Sequence, residues 1–340
     1  MGVLTRKYRP KVFEEVVGQD LAVKILKSVA KNPAKAPNSL VLSGPWGTGK
    51  TTLARIFGRA LACDNFKTTG KICLKCSGCK RWEEISNRYI EYDSSMVGNV
   101  GQIRELKPVF EMATDYYRVI VLDEAHLISR QAQSAMLKVI EEGSPTTFFV
   151  LCSTDPEMIL DTIHSRSLPI DLYKVDGVVI MDYLKGIYES ETGDTNISEN
   201  VLNRIAFKCD GHVRDAVMLL EGYMVSNDES VLDLPIDDII TFFDLLTQGD
   251  KNAAIGAVMK GIMRHPIHQI QKSLNFVVLQ MVSTHVRQSE GVYSVITKRM
   301  GMGVFQLFKM VSENWTQGVF KDKYLTASFF LALVNKFGAQ

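Results

Sequence analysis

Through the first half of the chain, short runs of consecutive apolar residues alternate with longer stretches in which apolar positions recur every third or fourth residue. Ser39–Ser43 (SLVLS), Tyr89–Asp93 (YIEYD), Val119–Leu122 (VIVL), Phe148–Cys152 (FFVLC) and Leu168–Leu172 (LPIDL) are strand-length runs, and continuous runs of this kind predict strands buried on both faces of a parallel sheet. Between them, Lys50–Ala62 and Gln131–Glu142 have helical periodicity. Beyond Tyr173 the strand signals fade. Val175–Ser190, Ser198–Lys208 and His212–Met224 predict a compact set of helices, with Ser198 as an N-cap and Gly211 as a break. The polar stretch Ser226–Pro235 predicts a linker, and helical patterns fill the remainder. The expected fold class is α/β plus all-α, in three parts: a sheet domain over 1–172, a small helical domain over 173–230 and a helical domain over 231–340. No internal repeat or low-complexity segment interrupts this order.

Composition acts on this picture by exclusion. Apolar residues make up 46% and charged residues 23%, which is ordinary globular usage and argues against disorder or a fibrous class. Lys and Arg number 39 against 38 Asp and Glu, so no global field draws the chain to nucleic acid or membrane, and any DNA contact must come from a local patch. The densest apolar run, Tyr324–Val334, is shorter than the roughly 20 residues needed to span a bilayer. The N-terminus has no apolar signal core, and Arg6 stands where an N-myristoylation signal needs Ser or Thr. A soluble, cytoplasmic protein is expected.

Gly44-Pro45-Trp46-Gly47-Thr48-Gly49-Lys50-Thr51 fits the pattern G-x-x-x-x-G-K-[ST], directly after a predicted strand and directly before a predicted helix. The glycines let backbone N–H groups close around phosphate oxygens, and the helix N-terminus adds favourable partial charge. Lys50 then reaches the β- and γ-phosphates and the Thr51 hydroxyl binds Mg²⁺. A chance glycine-rich turn would leave the Lys-Thr pair in this setting unexplained.

The run Val119–Leu122 ends in Asp123-Glu124-Ala125-His126. In an open parallel sheet the C-terminal strand ends share one crevice, so these carboxylates arrive beside the phosphate loop. Asp123 is expected to hold Mg²⁺ and Glu124 to orient or deprotonate the attacking water, the alternative being acidic residues stabilised at a helix N-terminus. His126 is read as supporting or packing rather than as a base. Phe148–Cys152 leads into Ser153-Thr154-Asp155-Pro156, where Thr154 either bonds the γ-phosphate or belongs to an ordinary turn.

Six cysteines stand at 63, 73, 76, 79, 152 and 209, the first four within seventeen residues. Cys63, Cys73, Cys76 and Cys79 supply four thiolates, the set that suits tetrahedral Zn²⁺ with no open position and hence a structural site; redox or simply buried cysteines are the plainer reading. Cys152 and Cys209 fit core positions.

With the loop, the acidic box and the polar strand end in this order, the sequence resembles AAA+ ATPases and, more narrowly, the γ/τ subunits of bacterial polymerase III clamp loaders. Lys7 to Gln19 resembles their R-P-x-x-F-x-x-V-V-G-Q segment, Ser165-Arg166-Ser167 their S-R-C box, and Gly211 to Ala216 their G-x-x-R-D-A helix start. Asp123 to Glu142 matches the family's stretch nearly throughout. The likeness is specific over residues 5–225 and only architectural beyond, where a helical collar is implied.

The resemblance implies that Tyr8, Arg9, Pro10, Val17 and Gly18 lie against adenine. It adds Gly44, Pro45, Gly47, Thr48, Gly49, Lys50, Thr51 and Thr52 as nucleotide contacts. Thr154 becomes a sensor at the γ-phosphate, Arg214 a second sensor on the helical lid, and Arg166 a finger acting on a neighbouring subunit's ATP; without it, Arg166 reads as a surface salt bridge and Arg214 as an ordinary helix arginine. An isolated chain is then expected to be a poor ATPase. Implied partners are other subunits, several copies of this chain in a hetero-pentamer, a ring-shaped sliding clamp and primer–template DNA. Arg104, Lys107, Arg130 and Lys138 are candidate phosphate contacts, or solvated helix charges. Where Val97 and Asn99 stand, family members usually carry basic residues, and the one matched by Asn99 couples DNA contact to the catalytic glutamate; weaker stimulation by DNA is expected. The chain also stops short of the long extension of τ forms, which leaves a short, viral or minimal loader open. The rivals are a recombination or helicase-loading AAA+ motor, such as a branch-migration ATPase, and a scaffold subunit without catalysis, against which the intact Gly49, Lys50, Thr51, Asp123 and Glu124 speak.

Overall fold

The computed structural model describes residues 2–84, 87–96, 98–232, 235–287, 293–316 and 322–337. Its contacts divide the chain into two units, Met1–Val231 and Leu232–Gln340.

The first unit is built on five parallel strands, β1 Ser39–Ser43, β2 Tyr89–Asp93, β3 Arg118–Asp123, β4 Thr147–Ser153 and β5 Leu168–Asp171, in the order β2-β3-β4-β1-β5. The helices in chain order are α1 Val3–Lys7, α2 Asp20–Lys31, α3 Lys50–Ala62, α4 Phe66–Thr69, α5 Ser77–Glu84, α6 Val100–Glu111, α7 Arg130–Glu142 and α8 Asp161–His164. Alternate residues of each strand point to opposite faces. Leu40, Leu42, Val119, Val121, Phe148 and Val150 pack with Leu26 and Val29 of α2 and with Leu53, Ile56 and Phe57 of α3. Val41, Ile120, Leu122, Phe149 and Leu151 pack on the other side with Ile103 and Phe110 of α6 and Met136 and Val139 of α7. Helices on both faces explain why the strands read as continuous apolar runs.

β3 and β4 each run one residue further at both ends than their apolar runs, and β5 stops at Asp171, one residue before the end of its run. The early start of β3 is a fully buried Arg118. Its Nε donates to Thr147 Oγ1 at 2.8 Å, and Nη2 donates to the carbonyls of Val109 and Phe110 at the end of α6. A guanidinium closing the C-terminal carbonyls of a helix satisfies groups with no partner within it.

After β5 follow α9 Gly177–Thr192, α10 Glu199–Cys209 and α11 Val213–Ser226. They pack through Ile180, Leu184 and Ile187, through Val201, Leu202 and Ile205, and through Ala216, Val217 and Leu220. Ser198 holds the N-cap position of α10 but makes no capping bond, whereas Asp176 caps α9 through Val178 N at 2.8 Å. Helix α1 docks on α11, with the backbone N–H groups of Val3 and Leu4 donating to the Glu221 carboxylate at 2.8 and 3.2 Å.

The second unit contains α12 Ile236–Gln248, α13 Lys251–Arg264, α14 Ile267–Arg287, α15 Ser294–Met300, α16 Gly303–Thr316 and α17 Lys323–Phe337, with no strand among its described residues. Phe242, Phe243, Leu274, Val277, Leu307, Phe330 and Leu333 form its core. The apolar run near the C-terminus is α17, turned into this core rather than toward a bilayer, and no described helix is long and apolar enough to cross a membrane.

Candidate nucleotide-binding site

The strand registers bring the C-terminal ends to one rim, where Ser43 pairs with Ser153 and Asp93 with Asp123. The loop after β1 starts on that rim, held by Gly44 N donating to Ser153 O at 3.2 Å. A Cβ at Gly44 would meet the Leu172 carbonyl oxygen at 2.4 Å, so only glycine lets the loop turn there. Gly49, at φ +102°, occupies the N-cap position of α3 and turns the chain into the helix. The loop therefore ends on a helix N-terminus whose first N–H groups have no partner within the helix.

Thr51 Oγ1 donates to Asp123 Oδ2 at 2.9 Å, joining the start of α3 to the end of β3. The next residue, Glu124, adopts left-handed backbone at φ +53°, an uncommon state for a residue with a side chain and one concentrated at functional sites. His126 Nδ1 lies 3.5 Å from Glu124 Oε2 and 3.4 Å from Ser153 Oγ, so the imidazole links the acidic box to the end of β4. Lys50 is buried, and its ammonium donates to the carbonyls of Gly44 and Pro45 at 2.8 and 2.9 Å. Burial lowers its pKa, while Glu124, Cys152 and Asp123 oppose that shift.

Between this rim and the small helical set lies a cleft of about 270 Å³. Gly47, Thr48, Gly49, Lys50, Thr51, Thr52, Asp123 and Glu124 line one side; Tyr8, Arg9, Pro10, Val16 and Val17 line another; Tyr183, Val213, Arg214 and Val217 come from the helices. Arg9 Nε donates to Thr52 Oγ1 at 3.3 Å, and the Tyr183 hydroxyl donates to the Tyr8 carbonyl at 3.1 Å. Burial lowers the pKa of Arg9, and the charges of Arg55 and Arg214 lower it further. Arg9, Lys50 and Arg214 thus crowd positive charge around one cleft, an arrangement that a multiply charged anion stabilises. Thr5, Trp46, Val16, Tyr183, Val213 and Val217 line it as well, and the sequence motifs did not mark them as site residues. Trp46 stacks on His212, ring centroids 5.1 Å apart and planes 27° from parallel, joining the phosphate loop to the N-cap residue of α11.

A family profile described as DNA polymerase III, delta subunit, matches residues 18–176. DNA polymerase III subunit gamma of Buchnera aphidicola (subsp. Schizaphis graminum) is 34% identical over 225 residues, 65% of this chain and 61% of that protein. DNA polymerase III subunit tau of Bacillus subtilis is 30% identical over 280 residues, 82% of this chain and 48% of that protein. The chain is similar to gamma and tau subunits of DNA polymerase III over most of its own length. It spans 61% and 48% of the lengths of these two relatives. Among solved structures, a Thermotoga maritima RuvB variant superposes with a TM-score of 0.50 at 17% identity, covering 66% of this chain and 71% of that one, a likeness of fold alone.

Other residues singled out by the gamma/tau motifs lie outside the cleft lining. Thr154 follows β4, half-buried, and the neighbouring Asp155 N donates to Ser153 Oγ at 3.0 Å. Gly18 packs against Val175, while Gly44 and Pro45 face the cleft chemistry through the carbonyls that hold Lys50. Arg166 is 43% exposed; its Nε pairs with Glu141 and its Nη1 donates to the Thr162 carbonyl at 2.9 Å. Of the candidate DNA contacts, Lys107 and Lys138 pair with Glu111 and Glu142 one helical turn on, at 3.4 and 3.9 Å, and Arg104 and Arg130 are exposed. Asn99 is the N-cap of α6: its side chain accepts from Gln102 N at 3.0 Å and Gln102 Oε1 accepts from Asn99 N at 3.2 Å. Val97 lies outside the described residues.

The sulfur atoms of Cys63, Cys73, Cys76 and Cys79 all lie within 4.8 Å of one another. Tetrahedral coordination at a zinc–sulfur bond of about 2.3 Å places sulfurs about 3.8 Å apart, and the Cys63–Cys73 and Cys63–Cys76 separations are 3.7 and 4.0 Å. N–H groups of Cys76 and Cys79 donate to the sulfurs of Cys73 and Cys76, each at 3.4 Å. Hydrogen bonds from the Lys75 backbone, the Asn65 side chain and the Cys76 backbone hold the Cys73 thiol down at about 6, whereas burial raises those of Cys63 and Cys79. Four convergent thiols with donors aimed at their sulfurs fit a structural tetrahedral metal. Cys152 and Cys209 are buried apart from it.

Proposed function

We propose that this chain is an ATP-hydrolysing motor subunit of a sliding-clamp loader, working beside other subunits to open a ring-shaped clamp and leave it closed on primer–template DNA during replication. The observation that carries the reading is the gathering of Lys50, the Thr51–Asp123 pair, Glu124 and Arg214 around one cleft. ATP is the substrate there, and Mg²⁺, held through Thr51 and Asp123, would neutralise phosphate charge. Lys50 binds the β- and γ-phosphates once it leaves the loop carbonyls, and the first amides of α3 add donors. Glu124, fixed by its backbone and by His126, orients and deprotonates the attacking water. Tyr8, Arg9, Pro10, Val17 and Gly18 hold the base, and Thr154 reads the γ-phosphate from the end of β4.

Arg214 stands in the first turn of α11, so phosphate charge drawn to it pulls the helical set toward the loop. The exposure of Arg166 supports a finger that exchanges Glu141 for the ATP of an adjoining copy. Such a residue is worth roughly 10³ to 10⁵ in rate, which makes the assembled hetero-oligomer, and not the lone chain, the active species. The cysteine centre holds structural Zn²⁺. Arg104 and Arg130, the cations of α6 and α7 outside the two helix ion pairs, are the proposed contacts to the DNA backbone, with Lys107 and Lys138 available if their helix pairs open.

The test is ATP turnover by the chain reconstituted with partner subunits, with and without clamp and primed DNA. Turnover stimulated by primed DNA and clamp together is expected. Stimulation by four-way junctions but not by primed DNA would replace this reading with a branch-migration motor, and absence of turnover in every assembly would reduce the chain to a scaffold.

A further inference from the structure

A second cleft, of about 530 Å³, lies away from the nucleotide cleft, between α2 and the turn that follows α4. Lys24, Lys27 and Lys31 of α2 and Lys71 of the turn line it, with Glu14, Asp20 and Val23 among the remaining residues. Lysines three and four positions apart share one helix face, so this side of α2 carries a row of ammonium groups over about 10 Å. Lys27 is held by Glu14 at 2.6 Å. Among the described residues, none of Lys24, Lys31 and Lys71 lies within salt-bridge distance of a carboxylate, and all three are exposed. Gly70 turns with φ +68°, and the end of the Lys31 side chain lies against it, its Cε and Nζ 2.8 and 2.9 Å from where a Cβ would stand, so the Lys31 ammonium sits beside the turn that carries Lys71. The field reaches Glu14: burial alone would raise its pKa, yet the Lys27 bond, its own backbone and the charges of Lys27 and Lys71 hold it below the ordinary value.

We propose that this cleft binds the sugar–phosphate backbone of single-stranded nucleic acid, a contact separate from the candidate DNA-binding residues. The separation follows from the sheet: α2 packs on one face and α6 and α7, which carry Arg104 and Arg130, on the other. The chain as a whole is nearly neutral, at +1, so the cluster is a local concentration and not a share of a basic surface. The choice of phosphodiester over an acidic protein segment rests on the lining. Protein partners draw affinity from buried apolar anchors, and Val23 is the one apolar side chain in this cleft; a polyphosphate strand needs charge alone. The inference uses other residues than the nucleotide cleft and does not require that cleft to bind ATP.

The experiment titrates the full chain, without nucleotide, into a fluorescein-labelled single-stranded DNA 20-mer and follows anisotropy across a salt series. The wild type is compared with Lys24→Glu/Lys31→Glu/Lys71→Glu, and with the matching Gln variant, whose thermal melt checks that the fold is kept. Each phosphate neutralised on a single strand contributes about 0.7 to the slope of log affinity against log salt, so the Gln variant is expected to lose a slope of about 2 and the Glu variant on the order of tenfold or more in affinity at moderate salt. Arg104→Glu/Arg130→Glu is expected to leave that increment in place. Unchanged affinity and slope in both lysine variants would overturn the proposal, and so would poly-L-glutamate displacing the labelled strand better than unlabelled DNA at equal charge.

Discussion

Glu191 ties the N-terminal segment to the helical set: Lys7 Nζ lies 2.7 Å from its Oε1, and the Tyr8 hydroxyl donates to the same oxygen. The Lys7 bond, and after it the Tyr8 bond, hold its pKa below the ordinary 4.5. A depressed carboxylate contributes stability that is fully present above the unfolded value and lost as pH falls through the folded one. Thermal melts of wild type and Glu191→Gln should therefore differ most above pH 4.5 and converge in acid. At this scale the sequence was readable wherever chemistry is local. Lys50, Thr51, Asp123 and Glu124 stand in two short motifs, and the parallel-sheet geometry places them together. Tyr183 and Val217 were not readable, because they reach the cleft from helices more than a hundred residues after the loop, along stretches whose periodicity reports burial only. Trp46 left one signal, a large aromatic in a phosphate loop, where the motif assigns that position no role.

Helix α6 shows how one position can carry two demands. Asn99 and Gln102 form a reciprocal cap that satisfies two backbone donors at its start. Asn99→Lys removes that cap and should cost about 1 kcal/mol, measurable by urea denaturation. Its effect on DNA-stimulated turnover has to be read against that loss. The beginnings of β3 and β4 escaped the pattern because Arg118 and Thr147 are buried polar residues that bond to each other, and apolar runs cannot announce such a pair. The break at Gly211 was legible in the residue itself, which sits at φ +81° just before α11. In the cysteine segment the spacing anticipated the convergence of four sulfurs within 4.8 Å of one another. If the four thiols hold zinc as proposed, ligation is worth on the order of 10 kcal/mol of local folding, so a strong chelator should abolish hydrogen-exchange protection over 63–80 while the amides of β1, β3 and β4 stay protected. Simultaneous loss in both regions would make the centre part of the global fold.

Over the whole molecule, the division at Val231–Leu232 falls within the polar stretch Ser226–Pro235, where the sequence predicted a linker. The coupling of the small helical set to the sheet could not be read there: it depends on Glu221 receiving the start of α1 and on Trp46 meeting His212, contacts between segments far apart in sequence. If Arg166 acts on the neighbouring ATP, a mixture of Arg166→Ala and Lys50→Ala chains should regain part of the turnover that each lacks alone, since some interfaces then combine an intact Lys50 with an intact Arg166. No recovery in the assembled complex would confine Arg166 to its pair with Glu141. The central claim is that one cleft both binds ATP and cleaves it through Glu124. Its most direct test measures ATP affinity and single-turnover hydrolysis for the reconstituted wild type and for Glu124→Gln. The account predicts similar affinity with a rate lower by about 10² to 10⁴; a variant that hydrolyses ATP at the wild-type rate would contradict it.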